Sequence, residues 1–141
     1  MHIKALTMLV LLALLIGACA SESVFQLDVG TCFDDQGFDA KEVTSVPLVD
    51  CEEPHDNEVY FLFNVTNTVF PGDDSLSETA ADGCFNEFES FVGLEYSQSI
   101  LDFSWFAPTA ESWEEGDREV ICFVYDLDLK KLTGTMARSA A

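Results

Sequence analysis

Apolar and polar positions along the chain follow two different periods, and each period predicts one kind of element. Residues 58–65 alternate at every second position and carry apolar side chains on both faces, which predicts a central β-strand. Less regular alternation predicts four further strands over residues 24–33, 43–49, 100–106 and 118–129. Gly30 breaks the first of these, and Pro47 interrupts the second, which favours an edge strand or a bulge there.

The period changes to three or four residues in SLSETAADGCFNEFESFVG, residues 75–93. Ser75 and Glu78 have the spacing of a capping box, and Gly93 is suited to end a helix. Gly83 weakens such a helix by about 1 kcal/mol relative to alanine. The order β-β-β-α-β-β predicts an α+β domain, with one main helix packed on a small antiparallel sheet. One helix face collects the apolar side chains of Leu76, Ala80, Cys84, Phe88 and Phe91 or Val92.

Residues 1–18 have the pattern of a signal peptide. His2 and Lys4 precede an apolar run over residues 5–16, which is too short to span a hydrocarbon core of ~30 Å. The run ends in Ile16-Gly17-Ala18-Cys19, and small residues before a cysteine resemble the lipobox of bacterial lipoproteins. This resemblance implies cleavage before Cys19 and a diacylglyceryl thioether on its sulfur. An ordinary secretory signal, with Cys19 inside it or just past it, is the alternative.

The rest of the chain fits one domain. We expect residues 19–23 to form a short lipid-anchored tether, residues 24–135 the folded domain and residues 136–141 a flexible tail. An apolar fraction of 48% excludes a disordered chain. Because four or five tether residues reach at most about 17 Å, we expect the domain to lie close to the outer face of the cell membrane.

The formal net charge of −20 excludes nucleic acid as a partner, since binding it requires a basic surface. One interpretation is a docking face for a cationic partner or for divalent cations. The other is solubility, or adaptation to a salty medium. The acids are spread along the whole chain, which favours the second interpretation.

Four cysteines remain after Cys19, and four in a small exported domain predict two disulfides with three possible pairings. Zinc is the alternative, but the close C-x-x-C pairs typical of zinc sites are absent from the sequence. Cys84 lies on the apolar face of the predicted helix, and Cys122 lies on one stripe of the last strand. Because these two surfaces can pack together, we predict Cys84–Cys122, which leaves Cys32–Cys51.

Several motifs occur together along residues 27–135. They are Gly30-Thr31-Cys32-Phe33, Cys51-x-x-Pro54-His55-x-x-Glu58-Val59, Cys84 within the helix, Trp113-x-x-Gly116-Asp117-Arg118-x-x-x-Cys122, and Gly134-Thr135. This set resembles the septum formation family, a mostly actinobacterial group of small exported or membrane-anchored domains. The resemblance implies a role near the division septum or cell envelope, and it implies no known activity, substrate or catalytic residue.

His55 is the candidate imidazole for catalysis. A Cys–His pair needs a free thiolate, and we expect Cys51 to be oxidised. A Ser–His–Asp triad with Asp56 or Asp117 lacks the G-x-S-x-G elbow. A hydrolase using His55 is therefore a remote alternative, and we predict no enzyme and no cofactor. The acidic stretch 34–39 does not match an EF-hand, so we predict no metal site, with weak calcium binding as the alternative there.

The turns of these motifs predict a cluster that is either structural or partner-facing. It comprises Pro54, His55, Trp113, Gly116, Asp117 and Arg118. We expect both turns at the same end of the sheet. His55 is expected to bond a backbone carbonyl or a carboxylate such as Asp117, and Arg118 is suited to a bidentate carboxylate contact.

The sequence thus predicts a non-catalytic, lipid-anchored extracytoplasmic domain that serves as an interaction or accessory module of the envelope or septum. Its partner is then an unknown envelope protein, and a flat patch of exposed aromatics around Trp105, Phe106 and Trp113 would fit that partner. A ligand- or cation-binding lipoprotein is the alternative. It would contain an apolar cleft of several hundred Å³, with convergent polar groups.

Overall fold

A computed structural model describes residues 21–35 and 43–141. The predicted signal peptide, the lipidation site Cys19 and most of the acidic stretch 34–39 lie outside the described residues. The described elements are β1 (Ser21–Ser23), β2 (Cys32–Phe33), β3 (Ser45–Val49), β4 (Asn57–Asn64), α1 (Asp73–Val92), β5 (Leu101–Phe106), α2 (Ala110–Glu114) and β6 (Glu119–Asp126).

The strands form one antiparallel sheet in the order β1-β3-β2-β4-β6-β5. The predicted α+β fold is confirmed, with an antiparallel sheet, one main helix and two disulfides, although the sheet has six strands where five were predicted. β4 lies between β2 and β6, so its predicted central position is also confirmed. β3 is not the edge strand that Pro47 suggested, because its first half pairs with β1 and its second half with β2.

Helix α1 covers one face of the sheet. Its buried residues are Leu76, Ala80, Cys84, Phe88 and Val92, as the sequence period predicted. The inward-facing residues of β6, Val120, Cys122 and Val124, belong to the same apolar core. No helix in the described part of the chain is both long enough and apolar enough to cross a bilayer.

Of the two predicted ends of α1, only the C-terminal end is confirmed. Gly93 adopts the left-handed conformation, with φ of 82°, and ends the helix as predicted. The predicted capping box at Ser75 is wrong, because the helix begins two residues earlier and has Gly72 as its N-cap. Asp73 and Asp74 then occupy the first turn, where carboxylates favour the positive end of the helix dipole.

Both predicted disulfides are present. Cys84–Cys122 joins α1 to the middle of β6, with the two Cα atoms 5.6 Å apart. Cys32–Cys51 joins β2 to the loop before β4, with the Cα atoms 5.3 Å apart. Each bond closes a loop between distant elements and therefore restricts the unfolded chain, a contribution of about 2–4 kcal/mol per bond.

The predicted first strand, residues 24–33, is mostly not a strand. Val24–Gln26 form a short 3-10 helix, which turns both Val24 and Leu27 toward the core because they are three residues apart. Gly30, with φ of 88°, then forms the turn into β2. The short helix α2 was also missed: Thr109 caps it and forms a capping box with Ser112.

The C-terminal segment, residues 136–141, is packed against α1 and is not the flexible tail that we predicted. The N–H of Arg138 donates to the carbonyl of Phe91 at 2.7 Å. The N–H of Ala140 donates to the carbonyl of Val92 at 2.9 Å. The last carbonyls of a helix lack intrahelical partners, so this segment supplies hydrogen bonds that α1 cannot make by itself.

Gly83 has a packing role that its low helix propensity conceals. α1 packs against β4 at this position, and a Cβ on Gly83 would overlap the ring of Phe63. The Phe63 ring also stacks on Phe61, with the ring centroids 5.7 Å apart. Glycine therefore allows the helix to approach the sheet closely.

We predict that Gly83→Ala lowers the free energy of unfolding by about 1–2 kcal/mol, because the overlap with Phe63 outweighs the propensity gain. Urea denaturation measures the change. In a Phe63→Leu background the same substitution should be neutral or stabilising, since the ring is gone. Equal stabilisation by Gly83→Ala in both backgrounds would contradict this account.

Candidate functional site

The two turns that were expected to form one cluster lie at opposite ends of the sheet. In the antiparallel pairing of β4 with β6, Asn57 pairs with Tyr125 and Asn64 pairs with Glu119. His55 therefore lies beyond one end of β4, whereas Arg118 lies beyond the other. At about 3.3 Å per residue, the strand pairing between them alone spans about 23 Å, so the two turns are more than about 20 Å apart. The predicted His55–Asp117 contact is therefore wrong.

His55 is a buried corner residue, with a relative exposure of 0%. Its Nδ1 donates to the carbonyl of Glu53 at 2.8 Å, as one of the predicted alternatives required. Because a carbonyl can only accept, this bond requires a proton on Nδ1. His55 also exchanges two backbone hydrogen bonds with Leu132, and its ring does not reach solvent.

Glu58, at the start of β4, fastens the C-terminal segment to this corner. Its carboxylate is buried, with an exposure of 1%, and accepts two hydrogen bonds. Thr135 Oγ1 donates to one oxygen and the Met136 N–H donates to the other, each at 2.6 Å. The Cys-x-x-Pro-His-x-x-Glu motif and the Gly134-Thr135 motif thus meet in space, which the sequence did not reveal.

The second corner is built around Trp113 in α2. Trp113 is buried, and the Cζ of Arg118 lies 3.7 Å from the centroid of its ring. Arg118 Nη1 also donates to the carbonyl of Trp113 at 2.8 Å, near the C-terminal end of α2. Among the described residues Arg118 makes no ion pair, so the predicted bidentate carboxylate contact is wrong.

Two further residues, in the turn between α2 and β6, stabilise this second corner. Gly116 adopts φ of 100°, a conformation that favours glycine. The Asp117 carboxylate accepts from the hydroxyl of Ser112 at 2.9 Å and from the N–H of Glu119 at 3.1 Å. Both oxygens of the Asp117 carboxylate are therefore used within the turn.

Cys32, Cys51 and Glu58 bring potential metal-ligand atoms within 4.8 Å of one another. The two sulfurs are bonded to each other, so neither is a thiolate. Thr135 and Met136 already occupy the two oxygens of Glu58. In this oxidised form the sulfurs are bonded to each other and the Glu58 oxygens are hydrogen-bonded elsewhere, so the three residues do not combine as a metal centre.

The sheet face opposite α1, here called the open face, contains a cavity of about 440 Å³. Its apolar floor includes Phe33, Phe106 and Phe123, which form a ring cluster. The centroids of Phe106 and Phe123 are 4.8 Å apart, and those of Phe33 and Phe123 are 5.3 Å apart. Val46 extends this floor. We call this site the aromatic cavity.

Acidic side chains form one rim of the aromatic cavity. Lys131 Nζ lies 2.7 Å from Asp34 Oδ1 and 2.9 Å from Asp56 Oδ2, so one ammonium bridges two carboxylates. The pKa of Asp56 is lowered from its usual value. Partial burial raises this pKa, but the hydrogen bond from the Asp35 N–H and the contact with Lys131 together outweigh that effect. The carboxylate of Asp56 therefore remains ionised at neutral pH.

Two buried side chains on the same rim keep an acceptor oxygen free of partners within the described part of the chain. Asn57 is 2% exposed, and its Nδ2 donates to Asp35 Oδ1, which leaves its own Oδ1 without a donor. Asp126 is 8% exposed, and its Oδ1 accepts the N–H groups of Asp128 and Lys130. Its Oδ2 accepts no hydrogen bond from the described residues.

Tyr125 adds a neutral polar group to this rim. Burial, together with the hydrogen bond that its hydroxyl donates to Asp102 at 3.1 Å, raises the pKa of Tyr125 to about 12. The phenol is therefore protonated at neutral pH, and the negative charge of the rim comes from carboxylates alone.

The three aromatic residues expected in a flat patch have separate positions. Trp113 is buried in its corner, and Trp105 packs against the core under α1. Phe106 lies in the floor of the aromatic cavity. Exposed aromatic area occurs instead on the α1 side, where Phe85 and Tyr96 are 51% and 37% exposed, with their ring centroids 5.7 Å apart.

Comparison with known proteins gives one match. A family model described as "Septum formation" matches residues 18–122, about three quarters of the chain. The matched range contains all four disulfide cysteines and both corners, whereas the C-terminal segment that Glu58 holds lies beyond it. Comparison with curated proteins and with solved structures finds no match.

The separation of the two corners predicts that they contribute independently to stability. We expect His55→Asn and Arg118→Ala each to lower the free energy of unfolding by about 1–3 kcal/mol. The loss in the double variant should equal the sum within about 0.5 kcal/mol. Urea denaturation followed by tryptophan fluorescence measures all three variants.

A matched control uses residues in contact. Arg118→Ala combined with Trp113→Phe should deviate from the sum of the single effects, because the guanidinium packs on that ring. A deviation above 1 kcal/mol for the His55 and Arg118 pair would contradict the separation of the corners.

Proposed function

Because this chain belongs to the septum formation family, we propose that it is a non-catalytic accessory module of the cell envelope, associated with the septum and held at the outer face of the cell membrane by a lipid on Cys19. It acts by binding, and its partner is an envelope protein or a small ligand. The observation that carries this proposal is the pair of disulfides, Cys32–Cys51 and Cys84–Cys122. Disulfides of this kind form and persist in oxidising compartments, outside the cytoplasm.

The position of β1 supports close attachment to the membrane. Ser21–Ser23 already pair with β3, so Ala20 alone separates Cys19 from the first strand residue. Two residue steps reach at most about 7 Å, less than the predicted tether of residues 19–23 would allow. A lipid on Cys19 would therefore hold the β1 edge of the sheet at the membrane surface. The acidic body then faces away from anionic headgroups, which repel it.

A non-catalytic role agrees with the position of His55. A catalytic imidazole must reach the proton that it transfers, directly or through one water molecule. His55 is fully buried, and its Nδ1 is bonded to the backbone of its own turn. A hydrolase that uses His55 would need this corner to open.

The aromatic cavity favours a second candidate, the ligand-binding lipoprotein. Its volume of about 440 Å³ lies within the range of roughly 300–1,000 Å³ that is usual for small-molecule sites. It also combines an apolar floor with polar groups on one rim, which is the arrangement expected of such a site. The two candidates are compatible, since an accessory module can act through a bound ligand.

Lipid attachment is tested by mass spectrometry of the protein purified from its own membranes. After reduction and trypsin digestion, we predict an N-terminal peptide over residues 19–41 that carries a diacylglyceryl thioether on Cys19. Cys19→Ser should abolish the modified peptide and accumulate uncleaved precursor, whereas the control Ser21→Ala should retain the modification. An N-terminal peptide with an unmodified Cys19, or one that begins elsewhere, would refute the anchor.

A further inference from the structure

The geometry points to the aromatic cavity as a binding site for a small organic cation, an amine or ammonium compound with an apolar body. This inference rests on the ligand-binding candidate proposed above and adds the chemical class of the ligand. Three features of the cavity carry it: an aromatic floor, two buried acceptor oxygens without donors, and an excess of negative charge.

The floor is suited to the apolar part of such a ligand. Phe33 is 1% exposed, and Phe106 and Phe123 are partly exposed toward the cavity. A flat or branched apolar group placed on these rings removes apolar area from water. Aromatic ring faces also attract a cation that lies within about 6 Å of the centroid.

The acceptors are suited to the charged end. Asn57 and Asp126 both line the cavity and are both more than nine-tenths buried. Asn57 Oδ1 and Asp126 Oδ2 accept no hydrogen bond from the described residues. An ammonium group supplies up to three N–H donors, whereas an anion supplies none. A buried acceptor without a donor is costly, so this rim favours a donor-rich ligand.

Charge gives the same preference. Four carboxylates line the cavity, those of Asp34, Asp35, Asp56 and Asp126. Lys131 pairs with two of them, and Lys130, which also lines the cavity, pairs with Asp128 at 2.8 Å. Asp35 and Asp126 form no ion pair within the described part of the chain, although Lys130 lies close enough to Asp126 for their charges to interact. Four carboxylates and two lysines leave an excess of negative charge at this rim. A cation neutralises part of this charge, whereas an anion would add to it.

Three probes of similar size separate charge from shape: phenethylammonium, phenethyl alcohol and phenylacetate. They are titrated into the full mature protein at low ionic strength. Calorimetry gives the affinity, and amide NMR shifts give the location. We expect phenethylammonium to bind at least about tenfold more tightly than the alcohol, with shifts at Asn57, Tyr125 and Asp126. We expect phenylacetate to bind most weakly.

Asp126→Asn is the informative variant, because asparagine retains an oxygen for the N–H groups of Asp128 and Lys130 but loses the charge. It should lower the affinity for phenethylammonium about tenfold and leave the affinity for the alcohol unchanged. Asp82→Asn, on the exposed side of α1, is the matched control and should change neither affinity. The unfolding transition of each variant reports whether it still folds.

Equal affinities for the cation and the alcohol, with shifts at the cavity, would overturn the inference and leave the ligand-binding candidate standing. Absence of binding by all three probes would overturn the inference together with that candidate. Loss of alcohol affinity in Asp126→Asn would show that this residue acts through the shape of the site, and it would also overturn the assignment to a cation. None of these outcomes alters the lipid on Cys19, which is measured separately.

Discussion

The Cys84–Cys122 disulfide is the constraint on which the rest of the structure depends. It joins the buried face of α1 to the middle of β6, next to the central strand β4. The loop that it closes contains β5 and α2, so both elements are restricted when the bond forms. Since α1 is fixed to one face of the sheet, the other face remains available for a different purpose. The aromatic cavity lies on that open face, built from strand residues that point away from α1.

Local periodicity predicted the elements that fill the core. The residues of α1 at intervals of four are all buried. The two faces of β6 also separate as expected: Val120, Cys122 and Val124 lie under the helix, and Ile121 lies in the apolar cluster of the open face. The disulfide pairing followed from those two faces. Periodicity failed for elements that contain only a few residues. Val24–Gln26 form a 3-10 helix that was predicted as strand, and the short helix α2 with its capping box was not predicted. The docked C-terminal segment was missed because its partners are α1 carbonyls, which have no sequence signature.

Which residues lie together in a site depends on the register in which the strands pair, and a single sequence does not reveal that register. His55 and Arg118 were assigned to one cluster because both stand in recognisable turns, but the pairing of Asn57 with Tyr125 places them at opposite ends of the sheet. Glu58 was visible as part of a motif, and its role became apparent only when Thr135 and Met136 lay beside it. The aromatic cavity draws on five strands and their loops, so no local pattern marks it. The acidic excess was interpreted as general solubility, and two of those acids, Asp35 and Asp126, now have a specific place on its rim.

The central claim is that the two disulfides set the fold of this domain. Non-reducing peptide mapping of the protein purified from its own membranes tests it most directly. Trypsin together with a glutamate-specific protease cuts between all four cysteines. The account predicts fully oxidised peptides that link Cys32 to Cys51 and Cys84 to Cys122. A Cys51–Cys84 link, or a substantial fraction of free thiol at these positions, would contradict it.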